Sequence, residues 1–131
     1  MQFTTITEEI IFPTTPEELY SIFMNPKIHA EVIDDKVEMD PVEGGHFSIF
    51  EDYCIGSNIT LIPNEKIVQE WNFDEDGWDE EHFSICTFEF EKVENGTKMT
   101  FTQEEVPEEC HEALKHGWKE YYWDTILDAL D

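Results

Sequence analysis

The clearest structural signal in the chain is the stretch HFSICTFEFEKVENGTKMTFTQEE at residues 82–105. Its two halves, 82–92 and 97–105, are rich in β-branched and aromatic residues and flank Asn95-Gly96, a dipeptide typical of a tight β-hairpin turn. Because strand side chains alternate between two faces, six residues of this hairpin are expected to share the face that points into the core. They are Cys86, Phe88, Phe90, Met99, Phe101 and Gln103.

Strand patterns continue on the N-terminal side of this hairpin. Five further strands are predicted, at residues 3–11, 36–42, 46–50, 54–62 and 66–73. Gly44-Gly45 predicts a turn, since glycine adopts positive φ without steric cost. In the last of the five strands, Gln69, Trp71 and Phe73 share one face. The middle of the chain is therefore predicted to form an antiparallel sheet.

Two short helices are predicted between the first and second strands. Thr15 is a favourable N-cap, Pro16 suits the first helical position, and Glu18 completes a capping box. Asn25-Pro26 repeats the cap-and-proline signal, so a second short helix is expected at about residues 26–32.

A long C-terminal helix is predicted from Pro107 to about Leu130. Its broad apolar stripe consists of Leu114, Trp118, Tyr121, Tyr122, Ile126 and Ala129. Gly117 lies inside this helix, where it costs about 1 kcal/mol relative to alanine, and predicts close approach to another element. The resulting fold class is α+β, a curved antiparallel sheet of about six to seven strands wrapped around the last helix.

The composition limits the classes of partner. The 131 residues suit one domain, residues 1–131, and include 32 Asp and Glu against seven Lys and no Arg, for a formal net charge of −25. Such a surface repels nucleic acid and anionic membranes, both of which need cationic side chains. The large aromatic core and the retained lysines favour general solubility over adaptation to a salty cytoplasm as the reason for this charge. The negative charge would also attract a basic protein surface.

The three cysteines, Cys54, Cys86 and Cys110, are scattered and odd in number, which argues against a disulfide framework. The N-terminus has neither the basic region nor the apolar stretch of a signal peptide, and no run is long enough to span a bilayer. We therefore expect a cytoplasmic protein with reduced thiols.

In order and spacing, the elements resemble the helix-grip (START-like, SRPBCC-type) superfamily. The closest branch resembles the C-terminal domain of the Aha-type activator of the 90 kDa heat-shock chaperone ATPase. The matching motifs are Phe12-Pro13, residues 16–20 (PEELY), residues 44–47 (GGHF), Gly56, residues 62–67 (IPNEKI), Trp71, residues 95–100 (NGTKMT), Val106-Pro107, residues 116–118 (HGW) and Tyr121-Tyr122.

The resemblance implies an apolar cavity between the sheet and the long helix. Aromatic residues and a few polar points would line it, although a filled core is the competing interpretation. The predicted ligand-binding residues are Phe47, Gln69, Trp71, Phe73, Phe88, Phe90, Met99, Phe101, Gln103, Trp118 and Tyr122. Trp78, in the acidic loop 74–81, is predicted to cover the cavity mouth.

No metal or cofactor is expected. The five histidines, interpreted as surface residues, lack the paired spacing of a zinc site. The acidic loop 74–81 places Trp78 where a calcium site would need another oxygen ligand.

Catalysis has only scattered candidates. His46, His82, Cys86 and Gln103 are predicted on inward-looking faces, but their spacing forms no nucleophile–base grouping. The leading hypothesis is therefore non-catalytic binding of a small hydrophobic or aromatic molecule. A chaperone-regulator interaction and a polyketide-cyclase-like enzyme are the alternatives that the resemblance leaves open.

Overall fold

The computed structural model describes residues 2–131, which form seven strands and a set of helices. The strands are β1 (Phe3–Phe12), β2 (Val37–Met39), β3 (His46–Ile49), β4 (Cys54–Ile62), β5 (Lys66–Phe73), β6 (Ser84–Val93) and β7 (Gly96–Pro107). They make one antiparallel sheet in the order β1-β7-β6-β5-β4-β3-β2. The predicted α+β architecture is confirmed, with β2 shorter than its sequence pattern suggested.

The β6–β7 hairpin has the predicted register. Phe88 pairs with Phe101, and Val93 pairs with Gly96 at the turn. The six side chains predicted to share the inner face are all buried. Gly96 lies at φ +146°, and a Cβ atom there would lie only 2.1 Å from the Phe12 carbonyl oxygen. The Asn-Gly signal therefore reflects a turn that only glycine fits beside β1.

Two helices, α1 (Pro16–Met24) and α2 (Pro26–Ile33), follow β1. The Thr15 side chain accepts a hydrogen bond from the Glu18 amide, and the Asn25 side chain caps α2 in the same way. Phe23 of α1 packs on Phe88 with ring centroids 4.9 Å apart, which holds the helix pair against the inner face of the sheet.

The C-terminal helix departs from the prediction in its start and its continuity. Pro107 ends β7, and a 3-10 turn at Glu108–Cys110 leads into α3 (His111–Trp118). A π-helical turn, Lys119–Trp123, then separates α3 from α4 (Asp124–Ala129). Residues 108–129 are called the C-terminal helix below.

The π turn changes which residues face the core. Its hydrogen bonds join residues five apart, as from the Asp124 amide to the Lys119 carbonyl. Trp123 is therefore buried and stacks on Trp118 at 5.3 Å, whereas Tyr121 is 55% exposed. The predicted stripe was wrong at Tyr121 and also at the exposed Ala129, because a regular 3.6-residue period does not allow for the extra residue of a π turn.

The close approach predicted at Gly117 is absent. A Cβ atom there would meet only Tyr121 Cδ2, at 4.0 Å. The close approach occurs instead at Gly56, where a Cβ atom would lie 1.9 Å from the Glu70 carbonyl oxygen on the paired strand. Gly117 therefore borders open space, and Gly56 is required by the packing of β4.

None of the helices formed by residues 2–131 combines the length and apolarity needed to cross a bilayer.

Candidate functional site: an aromatic cavity beside the C-terminal helix

A cavity of about 470 Å³ lies between the C-terminal helix, β5 and the turn that joins β3 to β4. Its volume falls within the range of small-molecule sites. The lining residues are Phe50, Tyr53, Cys54, Trp71, Phe73, Glu75, Ala113, Leu114, His116, Gly117, Trp118, Glu120, Tyr121 and Tyr122.

Four of the eleven predicted ligand-binding residues line this cavity: Trp71, Phe73, Trp118 and Tyr122. The other seven are buried in the packed core between the sheet and the helices. These seven are Phe47, Gln69, Phe88, Phe90, Met99, Phe101 and Gln103.

Side chains fill the space that the seven occupy. The Trp118 ring packs on Phe101 at 4.6 Å, and Phe101 packs on Phe88 at 5.1 Å. Side chains therefore fill the space between the C-terminal helix and the sheet along β6 and β7, and open space remains beside β5.

One wall of the cavity comes from a strained turn that the sequence pattern did not reveal. Phe50, Glu51 and Asp52 all have left-handed backbone conformations, with φ of 56°, 53° and 72°. For residues other than glycine this conformation costs roughly 1–2 kcal/mol each. The Ser48 hydroxyl donates to the Asp52 carboxylate and braces the turn.

The strained turn brings two aromatic side chains to the cavity. The Phe50 ring meets Tyr121 and Tyr122 edge-on, at 5.9 and 6.1 Å. Tyr53 meets Phe73 edge-on at 6.1 Å. No local sequence signal marks three consecutive left-handed residues without glycine, so these lining positions could not be predicted.

The floor of the cavity is a pair of tryptophans whose rings meet edge-on at 5.0 Å, Trp71 and Trp118. Trp71 Nε1 donates to Gln69 Oε1 at 2.9 Å, and Gln69 Nε2 donates to Asn58 Oδ1 at 2.9 Å. The Asn58 amide then donates to the carbonyls of Asp40 and Val42, both at 3.1 Å. This first chain of hydrogen bonds runs from an indole on β5 to the backbone beyond β2.

A second chain of hydrogen bonds holds the other indole. Trp118 Nε1 donates to Gln103 Oε1 at 2.8 Å, and Gln103 Nε2 donates to Ser84 Oγ at 2.9 Å. The Ser84 hydroxyl donates to the Trp71 carbonyl at 3.0 Å. Gln69 and Gln103 were predicted as polar points for a ligand, and the structure places their amides under the cavity floor, where they orient the two indoles.

A buried histidine ties α2 to the π turn. His29 Nδ1 lies 3.2 Å from the Phe23 carbonyl oxygen, so it carries the proton and donates. His29 Nε2 lies 2.9 Å from the Tyr122 hydroxyl, which therefore donates to it. Burial lowers the pKa of His29 from 6.5 to about 4 and raises the pKa of Tyr122 well above its ordinary value. The surface interpretation was wrong for His29, because its ring nitrogens find internal partners.

The cavity mouth carries acidic side chains. The Tyr53 hydroxyl donates to the Glu75 carboxylate, and burial together with this bond raises the pKa of Tyr53. His116 Nε2 and Glu120 Oε2 are 3.2 Å apart on the exposed edge of the helix. The lining includes these two carboxylates and no lysine.

The candidate catalytic residues are not brought together. His46 is exposed, contrary to its predicted inward position, because β3 alternates with Phe47 and Ile49 inward. His82 Nε2 donates to the Glu105 carbonyl at 2.7 Å, and burial raises the pKa of the Cys86 thiol. The cavity lining includes none of the four candidates, His46, His82, Cys86 and Gln103.

Trp78 does not line the cavity mouth as predicted. Its ring is buried against Phe73 at 5.0 Å, and its Nε1 donates to the His82 carbonyl at 2.8 Å. The acidic loop folds back on the sheet because this indole finds both an aromatic partner and a hydrogen-bond acceptor there.

Comparison with known proteins gives consistent matches. A family model described as "Activator of Hsp90 ATPase homolog 1-like protein" matches residues 13–131. The "Activator of 90 kDa heat shock protein ATPase homolog 1" of Homo sapiens is 28% identical over 125 residues, which is 95% of this chain and 36% of the human protein. The corresponding Dictyostelium discoideum homolog is 30% identical over 117 residues, 88% of this chain and 30% of that protein. The chain therefore spans about a third of the length of these relatives.

A solved structure is similar over a larger share of its own length. The crystal structure of an HSP90 activator from Plasmodium falciparum superimposes with a TM-score of 0.84 and 28% identity. The match covers 98% of this chain and 95% of that one.

The buried His29 predicts a specific pH dependence of stability. Because its pKa is lower in the folded state, the unfolded chain binds this proton first. The contribution of neutral His29 is complete above pH 6.5 and is lost as the pH falls from 6.5 to about 4, by up to about 3 kcal/mol. The difference in unfolding free energy between wild type and His29→Gln, measured by urea denaturation, should shrink over that interval.

The exposed His46→Gln variant controls for the loss of one histidine. Parallel pH profiles for wild type and His29→Gln would contradict the assignment of a buried, neutral His29.

Proposed function

Because this chain belongs to the family of activator of Hsp90 ATPase homolog 1-like proteins, we propose that it binds a chaperone of the 90 kDa heat-shock class and stimulates the chaperone's ATPase. The observation that carries the proposal is the likeness to the Plasmodium falciparum HSP90 activator, which extends over nearly the whole of both chains.

The charge of the chain supports a partner with a basic surface. The net charge of −25 produces a negative potential that accelerates encounter with a basic partner. Three short acidic stretches of the printed sequence contribute: residues 34–43, 74–81 and 104–112. An interaction of this kind weakens with salt, because mobile ions screen exposed charges.

The chaperone proposal predicts a salt-sensitive gain in ATPase rate. Titrating this protein into the 90 kDa chaperone of the same organism should raise the ATPase rate to a plateau at low salt. The half-saturating concentration should increase when salt is raised from about 50 to about 300 mM, as the Debye length shortens. Absence of both binding and rate change at the lowest salt would contradict the proposal.

Two double variants at exposed positions locate the contact. Glu38→Gln/Asp40→Asn neutralises charges at β2, and Glu80→Gln/Glu104→Gln neutralises charges at the acidic loop and β7. A loss of stimulation in one variant alone identifies a defined interface. An equal, small loss in both would indicate general steering by net charge.

As a second function we propose that the cavity binds a small hydrophobic or aromatic molecule without chemistry. The observation that favours it is a lining of seven aromatic side chains around about 470 Å³. A concave space lined mainly by aromatic and apolar side chains, with a few polar groups at its mouth, has the character of a small-molecule site.

Native mass spectrometry of freshly purified protein tests the second function. We expect an extra mass that organic extraction removes. Gly117→Ala should retain the extra mass, since its Cβ meets only Tyr121 Cδ2 at 4.0 Å, and Gly117→Leu should lose it by filling the space. An unliganded mass in all three proteins, with no binding of an apolar dye, would contradict the proposal.

A further inference from the structure

We propose that the occupant of the cavity is a small organic cation, an amine or amidine on a flat apolar body. The inference rests on the cavity-binding function proposed above and specifies the class of ligand. Three features carry it: the aromatic walls, the carboxylates at the mouth, and the neutral state of the buried titratable groups beside the cavity.

The walls suit a cation attached to an apolar group. Seven aromatic side chains line the space: Phe50, Tyr53, Trp71, Phe73, Trp118, Tyr121 and Tyr122. Aromatic faces attract ammonium and guanidinium groups, and tryptophan does so most strongly. The indole N–H groups of both tryptophans are already used by Gln69 and Gln103. The floor therefore offers a ligand π surface and no free indole donor for an anion.

The mouth supplies the charge that a cation needs. Glu75, in the acidic loop just after β5, is partly buried and keeps its carboxylate beside the cavity through the Tyr53 hydroxyl. Glu120 lies on the opposite, helical side beside His116. No lysine lines the space, and its one histidine, His116, already faces the Glu120 carboxylate, so an anionic ligand would still meet two carboxylates at the mouth.

Apart from His116 at the rim, the other titratable groups around the cavity bring no positive charge to it. Burial raises the pKa of the Cys54 thiol and of Tyr122, so both are neutral at pH 7. The Tyr122 hydroxyl is committed to His29, whose pKa is lowered to about 4 and which therefore brings no positive charge to the site. The net effect is an apolar, aromatic space with a negative rim.

The test uses three probes with the same indole ring and different charge: tryptamine, tryptophol and indole-3-propionate. Calorimetric titration at about 150 mM salt should show tryptamine binding about tenfold tighter than neutral tryptophol. Indole-3-propionate should bind most weakly.

Charge-removing variants show whether the rim is responsible for this preference. Glu75→Gln/Glu120→Gln should reduce the preference for tryptamine over tryptophol to less than about threefold, and urea denaturation checks that the variant is folded. Glu89→Gln/Glu94→Gln removes the same charge from exposed positions on the hairpin and should retain the preference.

The outcomes separate this inference from the function on which it rests. Equal affinity for all three probes, or a preference for tryptamine that survives Glu75→Gln/Glu120→Gln, would overturn the cation assignment and leave the cavity function standing. Failure of all three probes to bind to the wild type, together with an unliganded native mass, would overturn both.

Discussion

Two buried indole N–H groups constrain the whole inner face of this protein. Burying an indole without an acceptor costs about 1–3 kcal/mol, so Trp71 and Trp118 need internal partners. Gln69 and Gln103 provide them through their side-chain oxygens. The side-chain amide of Gln69 then donates to Asn58, and that of Gln103 donates to Ser84. Asn58 and Ser84 in turn donate to backbone carbonyls. Because the second chain ends on the Trp71 carbonyl, the floor of the cavity, β5 and the C-terminal helix are held as one connected unit.

An open cavity needs walls that cannot collapse, and two irregular segments supply them. The left-handed turn at residues 50–52 places Phe50 in the cavity lining against Tyr121 and Tyr122. The π turn stacks Trp123 on Trp118, which leaves the Trp123 indole nitrogen without a hydrogen bond. Both arrangements cost stability, and strained or irregular backbone of this kind concentrates at functional sites.

The sequence predicted those parts of the fold that depend on local chemistry. Thr15, Asn25 and the Asn95-Gly96 turn act through neighbouring residues, so their signals could be recognised directly. The alternation of strand side chains between two faces is also a local property, and it correctly placed Trp71 and Phe73 on one inward face. The turn at residues 50–52 and the π turn depend on packing against distant elements, which no local pattern records. Hydrogen bonds across the core could not be predicted from the sequence either, such as the bond between Trp118 of the C-terminal helix and Gln103 of β7.

Hydrogen exchange of the tryptophan indole N–H groups, followed by NMR, tests the central claim most directly. If the two chains of hydrogen bonds fix the cavity floor, the indoles of Trp71 and Trp118 exchange only when the protein unfolds globally. Their exchange free energies should then equal the global unfolding free energy from urea denaturation. Exchange through local opening, at a free energy well below the global value, would show that the floor is mobile and contradict the account.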